Sequence, residues 1–369
     1  MKKFDRYPIL EINLSHMKSN VKNIVEKCSE NEISVTGVVK ATDTYEHSYN
    51  EIANIMISAG CTSIGDSRMN TIKRMREMGF NKEILLLRVP MMSELDDVVK
   101  YSDCSLQSEL NVLKLTNEAA KRENKIHSVI LMMDLGDLRE GFFDEEELID
   151  AALMVENEFS NLYLKGIGTN LGCYGAICPD EKNLGRLVNI AERIEGKISR
   201  TLDIVSGGGT SSLPMVLNNT IPKGINHLRI GEGIVLSRDL IDIWKCDMPF
   251  MYQDIYTIYA QVIEVKEKPS YPIGKIFIDA FGNTPEYEDL GIRKRALLAL
   301  GKRDIGSFDS VSVKLPKAII LGGSSDHLIL DIDEVEEEIR VGDVIGFDVY
   351  YGAMVFANNS SSVYKRYIK

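Results

Sequence analysis

Between residues 34 and 231 the chain repeats one unit: a short apolar run, a loop, then an amphipathic stretch. The apolar runs are Val35–Lys40, Thr62–Asp66, Ile84–Arg88, Asp103–Leu106, Ser128–Asp134, Tyr163–Asn170, Leu202–Ser206 and His227–Gly231. Apolar residues spaced by three and four predict helices over Met17–Cys28, Tyr49–Ala59, Arg68–Met78, Glu109–Lys121, Glu145–Asn157 and Asn183–Ile194. Eight strand–helix units close most economically into a (β/α)8 barrel, with a doubly wound open sheet as the other arrangement.

From about Asp242 the texture changes. Tyr256–Val265, Lys275–Asp279, Ala296–Leu300, Val311–Leu321, Leu328–Asp331 and Val344–Tyr351 read as strands, with Gly and Pro at the junctions and no long helix between them. The expected division is a barrel over residues 10–240 and a mostly-β domain over 1–9 and 241–369. Residues 10–14 also have the alternation to join the β-domain. The acidic run Glu334–Glu338 reads as a solvated turn.

Composition excludes several classes. A net charge of −12 argues against nucleic acid as the main partner. No run approaches 18 apolar residues, so no membrane span is expected. The first residues lead straight towards a strand without a signal-peptide core. Six scattered cysteines without a CxxC pair fit reduced thiols in the cytoplasm. No histidine lies near Cys173 and Cys178 at zinc spacing, so no metal is expected.

Function in such a barrel gathers at the C-terminal strand ends. The first run ends in Lys40. At the tip of a buried strand, a lysine with lowered pKa is a candidate Schiff-base nucleophile, although strands also simply end in lysine. The seventh run enters Ser206-Gly-Gly-Gly-Thr-Ser-Ser212. Glycines that let a ligand approach, followed by hydroxyls before a helix, fit a phosphate cradle of Ser206, Gly208, Gly209, Thr210 and Ser211. A turn with a Ser/Thr cap fits as well. Gly231 and Gly233 flank Glu232 after the eighth run and are placed to close that cradle. Arg139 and Arg229 stand at strand ends, as ligand-facing or as salt-bridged structural arginines. A lysine and a phosphate cradle at one barrel mouth point to pyridoxal phosphate.

Five segments carry a family resemblance: Gly166–Gly175 (GIGTNLGCYG), Ser206–Pro214 (SGGGTSSLP), Leu228–Gly233 (LRIGEG), Gly291–Ala296 (GIRKRA) and Ser324–Asp331 (SSDHLILD). In that order they resemble the alanine-racemase-like pyridoxal-phosphate enzymes over nearly the whole chain, and within them the ornithine racemases. The resemblance implies that Lys40, in Val38–Ala41 (VVKA), carries the cofactor. It implies that Tyr45 touches the phosphate, although Tyr45 comes one position late. It places Arg139 on the phenolate side, Asn170 over the ring, Thr210 and Ser211 on the phosphate, and Arg229 against the pyridine nitrogen. An arginine gives up a proton reluctantly, so the ring stays a weaker electron sink, which suits racemisation.

Racemisation by two bases needs a second group opposite Lys40. Alanine racemases use a tyrosine from the partner subunit. Here Lys302, in Leu300–Asp304 (LGKRD), stands near that place. Asp326 and His327 are the other candidates, and a structural role for His327 is equally open. The resemblance therefore implies a homodimer with shared active sites. A basic amino-acid substrate needs a carboxylate partner, for which Asp326, Glu232 and Glu288 are candidates. Lysine, arginine, serine and alanine remain alternatives to ornithine. Aldolases and dehydratases of this fold keep a His/Cys metal site in the second domain, and no such cluster follows residue 246. Non-enzymatic pyridoxal-phosphate carriers are barrels alone, and the long β stretch after Leu240 argues against one. A barrel unrelated to the cofactor would require all five segment matches to be coincidence.

Overall fold

The computed structural model describes residues 6–42 and 49–369. Its contacts divide them into two units, one of Met17–Tyr252 and one of the described residues up to His16 with Gln253–Lys369.

The first strand, β1 (Ile9–Asn13), belongs to the second unit. The barrel strands are β2 (Ser34–Val38), β3 (Ser63–Asp66), β4 (Ile84–Leu86), β5 (Cys104–Gln107), β6 (His127–Met133), β7 (Leu162–Thr169), β8 (Ile204–Ser206) and β9 (His227–Ile230). All neighbours are parallel, and β9 pairs back onto β2 with Arg229 opposite Thr36, so the sheet closes. The closed barrel is the predicted arrangement, and the open sheet is excluded. Gly166 is needed for this closure, because a Cβ there would come within 1.9 Å of the Ile204 carbonyl oxygen on β8.

The helix Glu181–Ile198 shows how local sequence builds the outer ring. Asp180 accepts from the Asn183 amide at 2.7 Å, and the Asn183 side chain accepts back from the Asp180 amide at 2.9 Å. This reciprocal cap satisfies two helix-start donors, and replacing Asp180 with Ala would cost about 1 kcal/mol. Leu184, Leu187, Ile190, Ala191 and Ile194 form one buried stripe against the barrel, each large side chain worth roughly 1.5–3 kcal/mol of burial. Ser199, with φ of 57°, ends the helix in the left-handed region. The sequence reading omitted the short helix Leu95–Tyr101 between β4 and β5, whose seven residues carry too few periods to stand out.

The second unit adds β10 (Tyr256–Pro269), β11 (Ile292–Leu298), β12 (Val311–Val313), β13 (Ile319–Gly323), β14 (Leu328–Asp331), β15 (Val344–Val349) and β16 (Tyr364–Ile368). The main path runs β12-β15-β10-β11-β14-β13, and β1 pairs antiparallel with β10 and parallel with β16. Inward-facing Tyr256, Ile258, Ala260, Val262, Ala296, Leu298, Leu330 and Phe347 are fully or almost fully buried.

Three strand expectations are corrected. Lys275–Asp279 forms no strand: it finds no ladder partner, and Phe277 and Ile278 stay exposed. Val311–Leu321 is two strands, broken around Lys317, whose φ is 66°. Val344–Tyr351 ends as a strand at Val349, and Tyr351 opens the helix Tyr351–Asn359.

Candidate active site

Arg229 is the buried centre of the barrel mouth. On β9 it faces inward, its Nη1 donating to the Ser206 hydroxyl on β8 and its Nη2 to the Thr169 carbonyl at 2.7 Å. No carboxylate among the described residues forms an ion pair with it, so Arg229 is no salt-bridged structural arginine. Burial lowers its pKa to about 10, which leaves it charged at neutral pH. Ser206 also contacts His227 Nδ1 at 2.8 Å, His227 Nε2 contacts the Thr36 hydroxyl at 2.7 Å, and Thr36 reaches Ser63 at 2.6 Å. A chain of polar side chains therefore runs down the barrel beneath Arg229. Burial, with the Arg229 charge beside it, pushes His227 down to about 3, so its imidazole is neutral. Sequence reading missed His227 and Thr36. Their only signal was a polar residue inside an otherwise apolar run.

Ser206 is thus a support under Arg229, buried below the glycine loop. Above it, Gly208 has φ of 106°, a conformation that favours glycine. A Cβ on Gly209 would come within 2.8 Å of the Arg229 carbonyl oxygen. Thr210 accepts from the Gly233 amide at 3.1 Å, and Ser211 donates to the Leu171 carbonyl at 2.8 Å. Gly231 packs on Val38, where a Cβ would approach 3.2 Å. The loops after β7, β8 and β9 are thereby stitched into one rim. Thr210–Ser212 is a single 3-10 turn, followed by the short helix Leu213–Leu217.

Two buried atoms at the end of β7, Thr169 Oγ1 and Asn170 Nδ2, have no hydrogen-bond partner. Such groups are costly unless something pairs with them. With the glycine-lined rim and the cationic Arg229, they fit a polar, anionic ligand.

Lys40 is not buried, contrary to the expectation. The strand β2 stops at Val38, and the backbone turns at once: the Thr42 amide and hydroxyl both donate to the Val39 carbonyl, at 3.0 and 2.7 Å, and Ala41 has φ of 66°. Lys40 sits exposed in that turn at the mouth. Tyr45 lies outside the described residues.

Asp134 Oδ1 accepts from the Gly136 and Leu138 amides at 2.8 and 3.1 Å, closing the predicted turn after β6. Arg139 follows it, exposed and paired with Glu140.

In the second unit, Lys302, Asp326 and His327 share one corner. The amides of Lys302 and Arg303 donate to the Ser324 and Ser325 carbonyls, each at 3.1 Å. A Cβ on Gly301 would fall 2.0 Å from the Ser325 carbonyl oxygen, so only glycine permits this approach. The Lys302 Nζ stands 3.6 Å from the Phe281 ring centroid, over the face of the ring. Asp326 pairs with Arg303 at 3.2 Å. His327 is exposed and contacts Ser324 at 3.3 Å. Glu232 is buried, its Oε1 accepting from the Arg238 and Asp239 amides at 2.9 and 3.1 Å. Glu288 is exposed.

A closed parallel barrel with a charged, glycine-rimmed mouth and a separate β unit defines a narrow class of enzyme folds. The family described as alanine racemase, N-terminal domain, matches residues 12–239. An ornithine racemase of Acetoanaerobium sticklandii is 41% identical over 361 residues, covering 97% of this chain and 99% of that protein. A lysine racemase of Thermotoga maritima is 39% identical over 362 residues, covering 98% of each. Among solved structures, alanine racemase from Streptomyces lavendulae superposes with a TM-score of 0.73 at 15% identity, covering 100% of this chain and 98% of that one. Alanine racemase from Bartonella henselae, with covalently bound pyridoxal phosphate, gives 0.74 at 15% identity over 99% and 100%. At such identities the structures speak for the fold alone. The chain belongs to the alanine racemase family. It is an amino-acid racemase, an isomerase. No helix among the described residues is long and apolar enough to cross a membrane.

Proposed function

We propose that this racemase interconverts L- and D-ornithine with pyridoxal phosphate at the barrel mouth, as a cytoplasmic homodimer with shared active sites. The observation that carries the cofactor reading is the buried, carboxylate-free Arg229 beside the unpaired Asn170 Nδ2. Lys40 would hold the cofactor covalently. The rim of Gly208, Gly209, Thr210, Ser211 and Gly231, with Tyr45, would take its phosphate, Arg139 its phenolate side and Asn170 its ring face. When bound, pyridoxal phosphate supplies an electron sink that acidifies the α-C–H of an amino acid.

Lys40 takes or returns the α-proton on one face. Lys302, or His327 with Asp326, does so on the other, from the second copy of the chain. Arg229 would face the pyridine nitrogen and, as an arginine, would not readily give it a proton, which would favour proton exchange at one carbon over wider electron withdrawal. Full-length similarity to an ornithine racemase supports the substrate. Lysine, one methylene longer, is the second reading, supported by the 39% relative. Free cysteines support a reducing compartment.

The test is loss of optical rotation from separate L-ornithine, L-lysine, L-alanine and L-serine samples with added cofactor, for wild type and Lys40→Ala. Ornithine is expected to lose rotation fastest, and the variant to lose both activity and the yellow absorbance. Faster loss with lysine or alanine would overturn the substrate.

A further inference from the structure

The loop after β7 is fastened more tightly than its exposure requires. Asp137, in the turn after β6, is 1% exposed. Its Oδ1 accepts from the amides of Gly172 (3.1 Å), Cys173 (3.2 Å) and Ile177 (3.4 Å), and its Oδ2 from that of Tyr174 (3.0 Å). Gly175 lies so close that a Cβ would come within 2.7 Å of the Asp137 carbonyl oxygen. At its root the same loop is held from the other side, by the Ser211 hydroxyl on the Leu171 carbonyl. The loop thus bridges the β6 and β8 loops across the end of β7. Ala176, with φ of 52°, takes a strained conformation to do so. Yet the side chain at the tip, Tyr174, is 76% exposed. Leu171 and Ile177 join the apolar core, but the stretch between them, residues 172–176, is exposed and buries nothing. The buried carboxylate fixes where the loop stands.

We propose that Asp137 is a positioning residue that pins the Leu171–Cys178 loop across the barrel mouth, so that Tyr174 forms a wall of the amino-acid site. The role rests on the placement of the substrate at this mouth, given above. Asp137→Asn is the informative change. An amide keeps the Oδ1 acceptor but sets an NH2 donor against the Tyr174 N–H, so the loop tip loosens while its root stays held. Tyr174→Ala removes the wall and leaves the clip.

The experiment uses the cofactor-loaded, full-length protein. Asp137→Asn is expected to speed hydrogen exchange of the Tyr174 amide at the loop tip about tenfold or more, with the Gly172 amide at the root little changed. KM for L-ornithine is expected to rise about tenfold, with kcat within about threefold, as for loss of binding shared by ground and transition states. Tyr174→Ala is expected to raise KM likewise without loosening the loop root. Unchanged exchange in Asp137→Asn would overturn the clip. A loosened loop with unchanged KM, or a loss confined to kcat, would overturn the wall, and Tyr174→Ala decides that point should Asp137→Asn fail to fold. If wild type racemises none of the four amino acids, the site reading itself falls and the wall with it. An unchanged KM in variants of an active enzyme overturns the wall alone.

Discussion

The Arg229 guanidinium donates to the Thr169 carbonyl at 2.7 Å, joining the ends of β9 and β7 across the intervening β8. With the Ser206 contact on β8, one side chain ties three consecutive barrel strands. Replacing it with Met would keep much of its volume and leave a buried carbonyl and hydroxyl short of a donor. A loss of about 3 kcal/mol is expected, at roughly 1–3 kcal/mol for each buried group stranded. Urea unfolding reads it as a lowered midpoint at unchanged slope.

Glu232 predicts a pH dependence of stability. Burial, with Asp239 nearby, raises its pKa from 4.5 to about 7. In that window the folded state binds the proton more tightly than the unfolded chain, so stability falls as pH rises from about 4.5 to about 7. Glu232→Gln keeps the acceptor for the Arg238 and Asp239 amides and removes the titration. The variant is expected to gain on wild type by about 2–3 kcal/mol between pH 4.5 and pH 8, measured by urea unfolding. A difference independent of pH would refute the assignment.

The buried histidines predict the opposite slope. His127 is lowered to about 4 and His227 to about 3, both chiefly by burial. Below pH 6.5 the unfolded chain takes up protons that the folded one does not, so stability is lost as pH falls. Each histidine is expected to cost about 2 kcal/mol between pH 6.5 and pH 5, at about 1.4 kcal/mol per unit. His127→Gln should remove one such increment and leave the other.

Two ion pairs should differ in worth. Arg293 grips buried Asp331 with two bonds, at 2.9 and 3.2 Å, whereas Arg122 and Asp96 are both more than half exposed. Arg293→Ala removes two of the hydrogen bonds to the Asp331 carboxylate, leaving that from the Asp333 amide, and is expected to lower the unfolding midpoint by more than Arg122→Ala does. Arg122→Ala is expected to cost under about 1 kcal/mol. Thermal unfolding of the two variants checks the contrast.

Eight strand–helix units, the change of texture into a β unit and the glycine loop at Ser206 were legible in the amino-acid sequence, while closure of the eight strands into a barrel came from the β9–β2 pairing. The legible features are local: periodicity and turn residues are properties of short windows. Segment resemblance supplied the candidate roles of Lys40, Asn170 and Arg229. Which of those groups are buried, and what they touch, follows from how distant segments pack. Lys40 is exposed because a turn begins two residues before it completes an apolar run. Lys275–Asp279 has strand-like alternation but no ladder, since a strand depends on a partner that its own residues do not specify. The Arg229–Thr169 contact, the four amides on Asp137 and the Lys302 turn on Ser324 join residues tens of positions apart. Hydrogen bonds of that span follow from chain closure, and no window of sequence holds both ends.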